Sequence, residues 1–349
     1  DEIAYAKEKG IDFIVCDHHV PDDVLPPASA ILNPKQVDCN YPFKGLSGCG
    51  VGYKFMQAFA MSNGLPPSVM FPLLDLVAVS TASDIVPIMG ENRVLAFYGL
   101  KVINTHPRPG IEAILTYGHI ARRTEEEAQS HPEVQSYFCK ELNITDLVFL
   151  VGPRINAAGR IRSAFDSVRL LLSDNPATAG LLAEEINNYN TERKDLDSAA
   201  TEEAKRRIEQ DPALMAKKSI VLFDESWHKG VVGIVASRLA ELYFKPSVVL
   251  TYSGDGLATG SSRSVRGFDV YAAIKSCRDL LENFGGHTNA VGLTLKEENI
   301  PEFRRRFTEN VEQHIGDEQV TPSMDIDCEL KFAEINNDFL RSMRYFNPF

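Results

Sequence analysis

Apolar and polar positions alternate on two length scales along this chain. Over the first half, short apolar runs stand between helical stretches. Ile3, Ala4 and Ala6 trace one face of a helix over about 2–9, and DFIVC then reads as a strand at Asp12–Cys16 before the polar burst DHHVPDD. A second apolar stretch, ASAILNP, stops at Pro34. The glycines of GLSGCGVG precede a helix from about Gly52 to Met61. A largely apolar helix is predicted over Val69–Thr81, followed by Ser83 and Asp84. Short apolar runs between helices are the pattern of parallel β-α units.

Farther along, Thr124–Lys140 is polar, with Glu125, Glu126 and Glu127, and reads as a solvated helix or loop. LVFLVGPRINAAGRIRSAFDSVRLLL joins an apolar run to a loop bearing glycine and arginine, then to a helix. From Pro176 to Gln210 the pattern is one long helix. Leu181, Leu182, Ile186 and Tyr189 keep helical spacing, but the remainder is too polar for a core element, so the helix is expected to connect two domains. The second half restarts with SIVLFD at 219–224, a helix at Val231–Tyr243, the strand SVVLTY and a Gly/Ser segment, GLATGSSRS. A helix from Asp269, the tetrapeptide FGGH and the strand AVGLTL complete a separate α/β domain.

A length of 349 residues suits two such domains. With 44% hydrophobic and 24% charged residues the chain is globular, which excludes a largely disordered one. No apolar run approaches the roughly 18 residues of a membrane span, so no membrane role is expected. The net charge of −12, from 48 acids and 36 bases, excludes a polyanion binder that works by bulk charge. Any contact with nucleic acid has to come from local arginine clusters. Six scattered cysteines without a C-x-x-C pair read as reduced thiols of a cytoplasmic protein. The opening DEIAYAKEKG looks like a helix already under way, and MRYFNPF is an aromatic-rich close, so a piece of a longer protein is expected.

Candidate chemistry gathers at five places. Asp17, His18 and His19 follow a strand directly, where ligands collect in open parallel sheets. Imidazole with carboxylate suits manganese or magnesium, while the bland reading is a polar loop. Asp84 could complete such a metal shell, or it could simply cap a helix. GPRINAAGRIR carries Arg154, Asn156, Arg160 and Arg162 among small residues; arginine forks onto phosphate, although a solvated basic turn reads equally well. GSSRS offers Ser261, Ser262, Arg263 and Ser264 to a phosphodiester, and Gly285-Gly286-His287 offers close backbone approach beside an imidazole. Trp227 and His228 read as packing or capping residues, although an aromatic near a nucleic-acid channel could also stack on a base, and Arg304, Arg305 and Arg306 read as the wet face of a helix.

The order of FIVCDHHVP, the Asp84 segment, GPRINAAGR, INNYNTERK, WHKGVVGIVASRL, GSSRS and FGGHTNAVGLTL resembles the DHH phosphoesterase superfamily, specifically its RecJ-type exonucleases. That resemblance implies a parallel-sheet DHH domain (1–174), truncated at its start, a connecting helix (175–212), a smaller α/β DHH-associated domain (213–322) and the start of a following region (323–349). It also implies a substrate groove between the two domains. The implied activity is hydrolysis of single-stranded DNA, 5′ to 3′, by two divalent ions (Mn2+ or Mg2+), in repair and recombination. His18 and Asp84 would ligate metal, Asp17 would orient the pair and His19 would touch phosphate. Arg154 or Arg160 would hold a phosphate, with Asn156 beside them, and Ser262, Arg263, Gly285, Gly286 and His287 would hold the strand. A single-strand-binding protein or a helicase is the implied partner. The family's earlier Asp-x-Asp motif is missing from these residues, so they are expected to have little activity alone. Related oligoribonucleases and cyclic-dinucleotide phosphodiesterases share DHH and GGH, and a non-catalytic nucleic-acid-binding module is the alternative from another class.

Overall fold

Two short strands lead into a helical unit. In the computed structural model, which describes residues 2–21, 24–130 and 136–348, α1 (Glu2–Glu8) is followed by β1 (Ile14–Cys16) and β2 (Ala30–Leu32). The strands run parallel, with Ile14 opposite Ala30 and Cys16 opposite Leu32. Then come α2 (Gly48–Ser62), a 3-10 turn (Pro67–Leu73), α3 (Leu74–Ser83), α4 (Gly90–Thr105), α5 (Pro109–Tyr117) and α6 (Glu125–Ser130). A continuous stretch of α7 (Ile144–Asp146), a π turn (Leu147–Val151) and α8 (Gly152–Ile161) leads to α9 (Ala164–Leu172) and α10 (Pro176–Gln210).

Two local expectations are corrected by the fold. The helix foreseen over Val69–Thr81 starts only at Leu74, because Pro72 has no N–H to donate and the turn before it is 3-10. GPRINAAGR is not a loop but the helix α8, which continues without a break from the turn before it. The apolar run ahead of it winds as the π turn.

Helix α3 is apolar nearly all round and sits in the middle of the unit, with Leu74, Val77, Ala78, Val79 and Ala82 buried. Its single acid, Asp75, is 1% exposed and forked by Arg108 through Nε and Nη2, both at 2.6 Å. Arg108 Nη1 also donates to Leu171 O at 2.8 Å, so one guanidinium ties α3, the start of α5 and the end of α9.

The second unit carries α11 (Pro212–Ala216), β3 (Ile220–Phe223), α12 (Val232–Tyr243), β4 (Ser247–Gly254) and β5 (Leu257–Arg263). It continues with α13 (Val270–Lys275), β6 (Leu281–His287), β7 (Ala290–Lys296) and α14 (Ile300–His314). The strands form one sheet in the order β3-β4-β5-β7-β6, parallel between β3 and β4 and antiparallel elsewhere. Period-2 alternation gives the sheet two faces. Ile220, Leu222 and Val249 pack with α12 and with Ala200, Ala204 and Ile208 of α10. Val221, Val248 and Leu250 pack with Phe303, Phe307 and Val311 of α14. LATGSSR, read from sequence as part of a Gly/Ser segment, is the central strand β5.

Contacts divide the chain into Asp1–Tyr189 with Leu330–Phe349, and Asn190–Glu329. The division falls inside α10, whereas the sequence reading keeps that helix whole. The last helix, α15 (Asn337–Arg344), counts with the first unit, where Arg93 Nη2 donates to Tyr345 O at 3.3 Å. Among the described residues no helix is long and apolar enough to cross a membrane.

Candidate active site

Strand β1 ends at Cys16, and the chain turns at once. Asp17 N donates to Leu32 O at 3.0 Å, extending the β1–β2 pairing by one bond. The Asp17 carboxylate organises the two histidines after it: its Oδ1 accepts from His18 N at 2.7 Å, from His19 N at 3.2 Å and lies 2.8 Å from His19 Nδ1. Burial raises the Asp17 pKa, but the His19 ring and the two amides outweigh it and hold the carboxyl below its ordinary range. Asn33, 5% exposed, donates from Nδ2 to His19 O at 2.8 Å and fixes the far side of the turn. Sequence reasoning missed Asn33; its only signal was a polar residue closing the apolar stretch before Pro34.

His18 lies beside His19, with ring centroids 4.4 Å apart, and reaches Asp84, with Nε2 3.2 Å from Asp84 Oδ2. Its side chain is 14% exposed and that of Asp84 44%. Burial lowers the His18 pKa, only partly offset by the Asp84 charge, so the imidazole is held neutral with a lone pair to give. Asp84 does close helix α3, but through its backbone, donating to Ser80 O at 3.0 Å, which leaves the carboxylate free to serve His18. Ligand atoms of Asp17, His18 and His19 lie within 4.8 Å of one another. Imidazole nitrogen and carboxylate oxygen at the negative end of α3 fit a first-row divalent cation. Thr81 and Ser83, flanking this end, bury hydroxyl oxygens without a hydrogen-bond partner.

The arginine cluster separates by helical phase. Arg154 is 8% exposed and donates to Asn187 Oδ1 at 3.1 Å, Leu150 O at 2.7 Å and Tyr117 O at 2.7 Å. It caps the C-terminal end of α5 and braces the π turn, so its guanidinium is occupied inside the unit. Asn156 and Arg160, four residues apart, share the exposed side of the same helix. Helix α8 starts against Asp84's neighbour: a Cβ on Gly152 would lie 3.0 Å from Ser83 Oγ. Arg160 stands about 12 Å farther along the axis, at about 1.5 Å per residue.

In the second unit the register assembles the other motifs. Arg263, Ala290 and His287 lie opposite one another across β5, β7 and β6, and so do Ser261, Gly292 and Gly285. These six share one face, since residues two apart on a strand point the same way. Arg263 Nη1 donates to Ser261 Oγ and, at 2.7 Å, to Ser262 O. Helix α12 arrives beside them, where a Cβ on Gly233 would be 3.1 Å from Arg263 Nη2. A Cβ on Gly285 would meet nothing within 4 Å, and one on Gly292 only Gly285 O at 3.9 Å, so a strip of bare backbone borders the imidazole. Gly286 is required for its backbone: φ is +152°, and a Cβ would strike Ala290 O at 2.2 Å. Ser262 points the other way. It is 0% exposed, opposite Val248 and Val291 on the α14 side, and its Oγ has no hydrogen-bond partner. Ser261 and Gly292 therefore occupy the face where the sequence reading placed Ser262. Trp227, 7% exposed, packs in the core with the Arg207 guanidinium 5.4 Å from its ring centroid. His228 Nδ1 accepts from Gly230 N at 3.1 Å, closing a turn.

Comparison with known proteins matches residues 1–81 to the N-terminal domain of the DHH family and 216–313 to the DHHA1 domain. A solved structure of exonuclease RecJ bound to manganese is 30% identical, with a TM-score of 0.67, over 90% of this chain and 73% of that one. The chain belongs to the RecJ family. The single-stranded-DNA-specific exonuclease RecJ of Bacillus subtilis is 37% identical over 351 residues, which take in all of this chain and 41% of that protein. RecJ of Thermus thermophilus in complex with Mn2+ is 30% identical with a TM-score of 0.73, over 90% of this chain and 43% of its own. The chain thus spans less than half the length of those two relatives. Membership of the RecJ family accounts for the α/β fold in two units and for the order of motifs along the sequence.

Proposed function

We propose that this chain forms the catalytic part of a metal-dependent exonuclease that degrades single-stranded DNA from 5′ to 3′. The observation that carries the reading is His18 Nε2 and Asp84 Oδ2 meeting at 3.2 Å from separate segments of the fold. It is supported by relatives named as single-stranded-DNA-specific exonucleases and by RecJ structures in complex with Mn2+ and Mg2+. Mn2+ or Mg2+, when bound, supplies a Lewis acid and an acidified water. His18 and Asp84 offer the ligands, with His18 kept neutral by burial. Asp17 holds the His19 ring, which presents its Nε2 to a phosphate oxygen. Within the first unit, Asn156 and Arg160 are suited to a phosphate; within the second, Arg263, His287 and the strip of Gly285 and Gly292 are suited to backbone phosphates of single-stranded DNA. The six cysteines are all unpaired, which supports a reducing cytoplasmic setting. A single-strand-binding protein or helicase that exposes the strand belongs to the same proposal, as does a role in repair and recombination.

The test uses the full-length protein with Mn2+, a long 5′-phosphorylated single strand, the matching duplex and a dinucleotide. Release of nucleotides from the single strand alone is expected, and H18A or D84N should reduce it to the metal-free level. Undiminished activity in both variants would refute the site, and faster turnover of the dinucleotide would refute the substrate. The 349 residues by themselves should release little. Among the described residues the site has two carboxylates, Asp17 and Asp84, and Asp17 Oδ1 is already taken by His18 and His19. Two bridged ions need more acid ligands than that.

A further inference from the structure

Helix α3 stops in a way its sequence does not favour. Asp84 is its last residue with helical backbone angles, and Ile85 then takes φ +53°, in the left-handed region. Helices that end this way usually place glycine or asparagine at that position. A β-branched residue there is a genuine outlier, since its Cβ crowds the following carbonyl. Ile85 gains no burial in exchange: its side chain is 77% exposed. An uncompensated strained residue directly after a carboxylate that faces His18 at 3.2 Å calls for a reason in the site itself.

The reason lies in how the two residue types move. Glycine roams a broad region at positive φ, whereas isoleucine has one narrow well there. Once the chain is folded, that narrow well leaves the end of α3 little freedom to swing. The preceding side is closed as well, because Ser83 lies against Gly152, where an added Cβ would be 3.0 Å from its Oγ and 3.2 Å from its Cα. Asp84 is held from both directions.

We propose that Ile85 is a positioning residue: its left-handed backbone fixes the Asp84 carboxylate against His18 and thereby sets the affinity for the divalent cation. This rests on the reading of His18 and Asp84 as metal ligands. The test compares I85G, I85N and D84N in the full-length protein. Two quantities are measured: the thermal midpoint without metal, and Mn2+ affinity from the loss of the free-ion spin-resonance signal. I85G should raise the midpoint, because strain is relieved, yet weaken Mn2+ binding about tenfold, the usual scale for loosening the support of a ligand. I85N, which tolerates the same conformation with less freedom than glycine, should raise the midpoint and keep most of the affinity. A lowered midpoint in I85G, or Mn2+ binding as tight as in the parent, overturns the positioning role. D84N separates the two claims. If D84N binds Mn2+ normally, the metal-site reading has failed; if it loses the ion while I85G keeps it, only the role of Ile85 has.

Discussion

Replacing Arg154 with methionine sets an internal role for this side chain against a phosphate-holding one. Methionine keeps much of the apolar stem and removes the fork. Leu150 O, Tyr117 O and Asn187 Oδ1 then each lose one donor. A buried acceptor left unsatisfied costs about 1–3 kcal/mol. With some relaxation and water entry the expected destabilisation is about 3–4 kcal/mol, a severe loss for a domain of ordinary stability. Urea unfolding followed by far-ultraviolet circular dichroism gives that number. The second half of the assay is binding of a labelled single strand at several salt concentrations, under conditions where the variant is folded. An internal brace predicts unchanged affinity and an unchanged slope of log affinity against log salt. A phosphate ligand predicts weaker binding and a slope shallower by about 0.7, the single-strand value for one phosphate contact. A stable R154M with a shallower slope would refute the brace outright, and R160M is then expected to show nothing.

G292V places a side chain on the bare strip, where there is room for it, so it should fold with stability within about 0.5 kcal/mol of the parent. Its affinity for a single strand, read by fluorescence anisotropy, should fall, and unchanged binding would remove the strip from the substrate path. S262A deletes a buried hydroxyl that has no partner, so stability should hold or rise by about 1 kcal/mol with DNA affinity unaltered. A loss of affinity would return Ser262 to the role read from sequence. Burial raises the Asp224 pKa, but hydrogen bonds from Ser226 and the ion pair with Arg207 outweigh it and hold the carboxyl low. In the unfolded chain it takes up its proton near about 3.9. Its stabilisation is therefore present above that value and lost as pH falls through the lower folded one. Trp227, the chain's one tryptophan, should report a flatter acid profile in D224N, and superimposable profiles would contradict the assignment.

Long periodic stretches were the legible part of the fold. The spacing of Leu181, Leu182, Ile186 and Tyr189 is a property of α10 itself, and the helix runs as read, from Pro176 to Gln210. Segments whose structure comes from their neighbours were not legible. In β5, Gly260, Ser261 and Ser262 have little strand propensity. They are extended because β4 pairs them on one side and β7 on the other. In α8 the glycines and Pro153 look like loop punctuation. Yet Pro153 lies within a stretch already wound from Ile144 onward, and Gly152 is present because Ser83 leaves no room for a Cβ.

The same split runs through the site, and here one period decides the outcome. DHH could be found because it follows a strand, but its meeting with Asp84 depends on tertiary contact that no spacing encodes. For GSSR the information was present and lay one strand away. In AVGLTL, Val291, Leu293 and Leu295 alternate with Ala290, Gly292 and Thr294; the first set is buried and the second is not. Antiparallel register puts Ser262 opposite Val291 and Arg263 opposite Ala290, so burial of one fixes exposure of the other. Reading GSSR as a strand would therefore have sent Ser262 inward and kept Ser261, Arg263 and His287 together. A face of small residues with a guanidinium and an imidazole at its end lets a flexible backbone lie close while drawing on few cations. If single-stranded DNA lies there, as proposed, few cations would meet it, and in a chain with a net charge of −12 the salt dependence of binding should be modest.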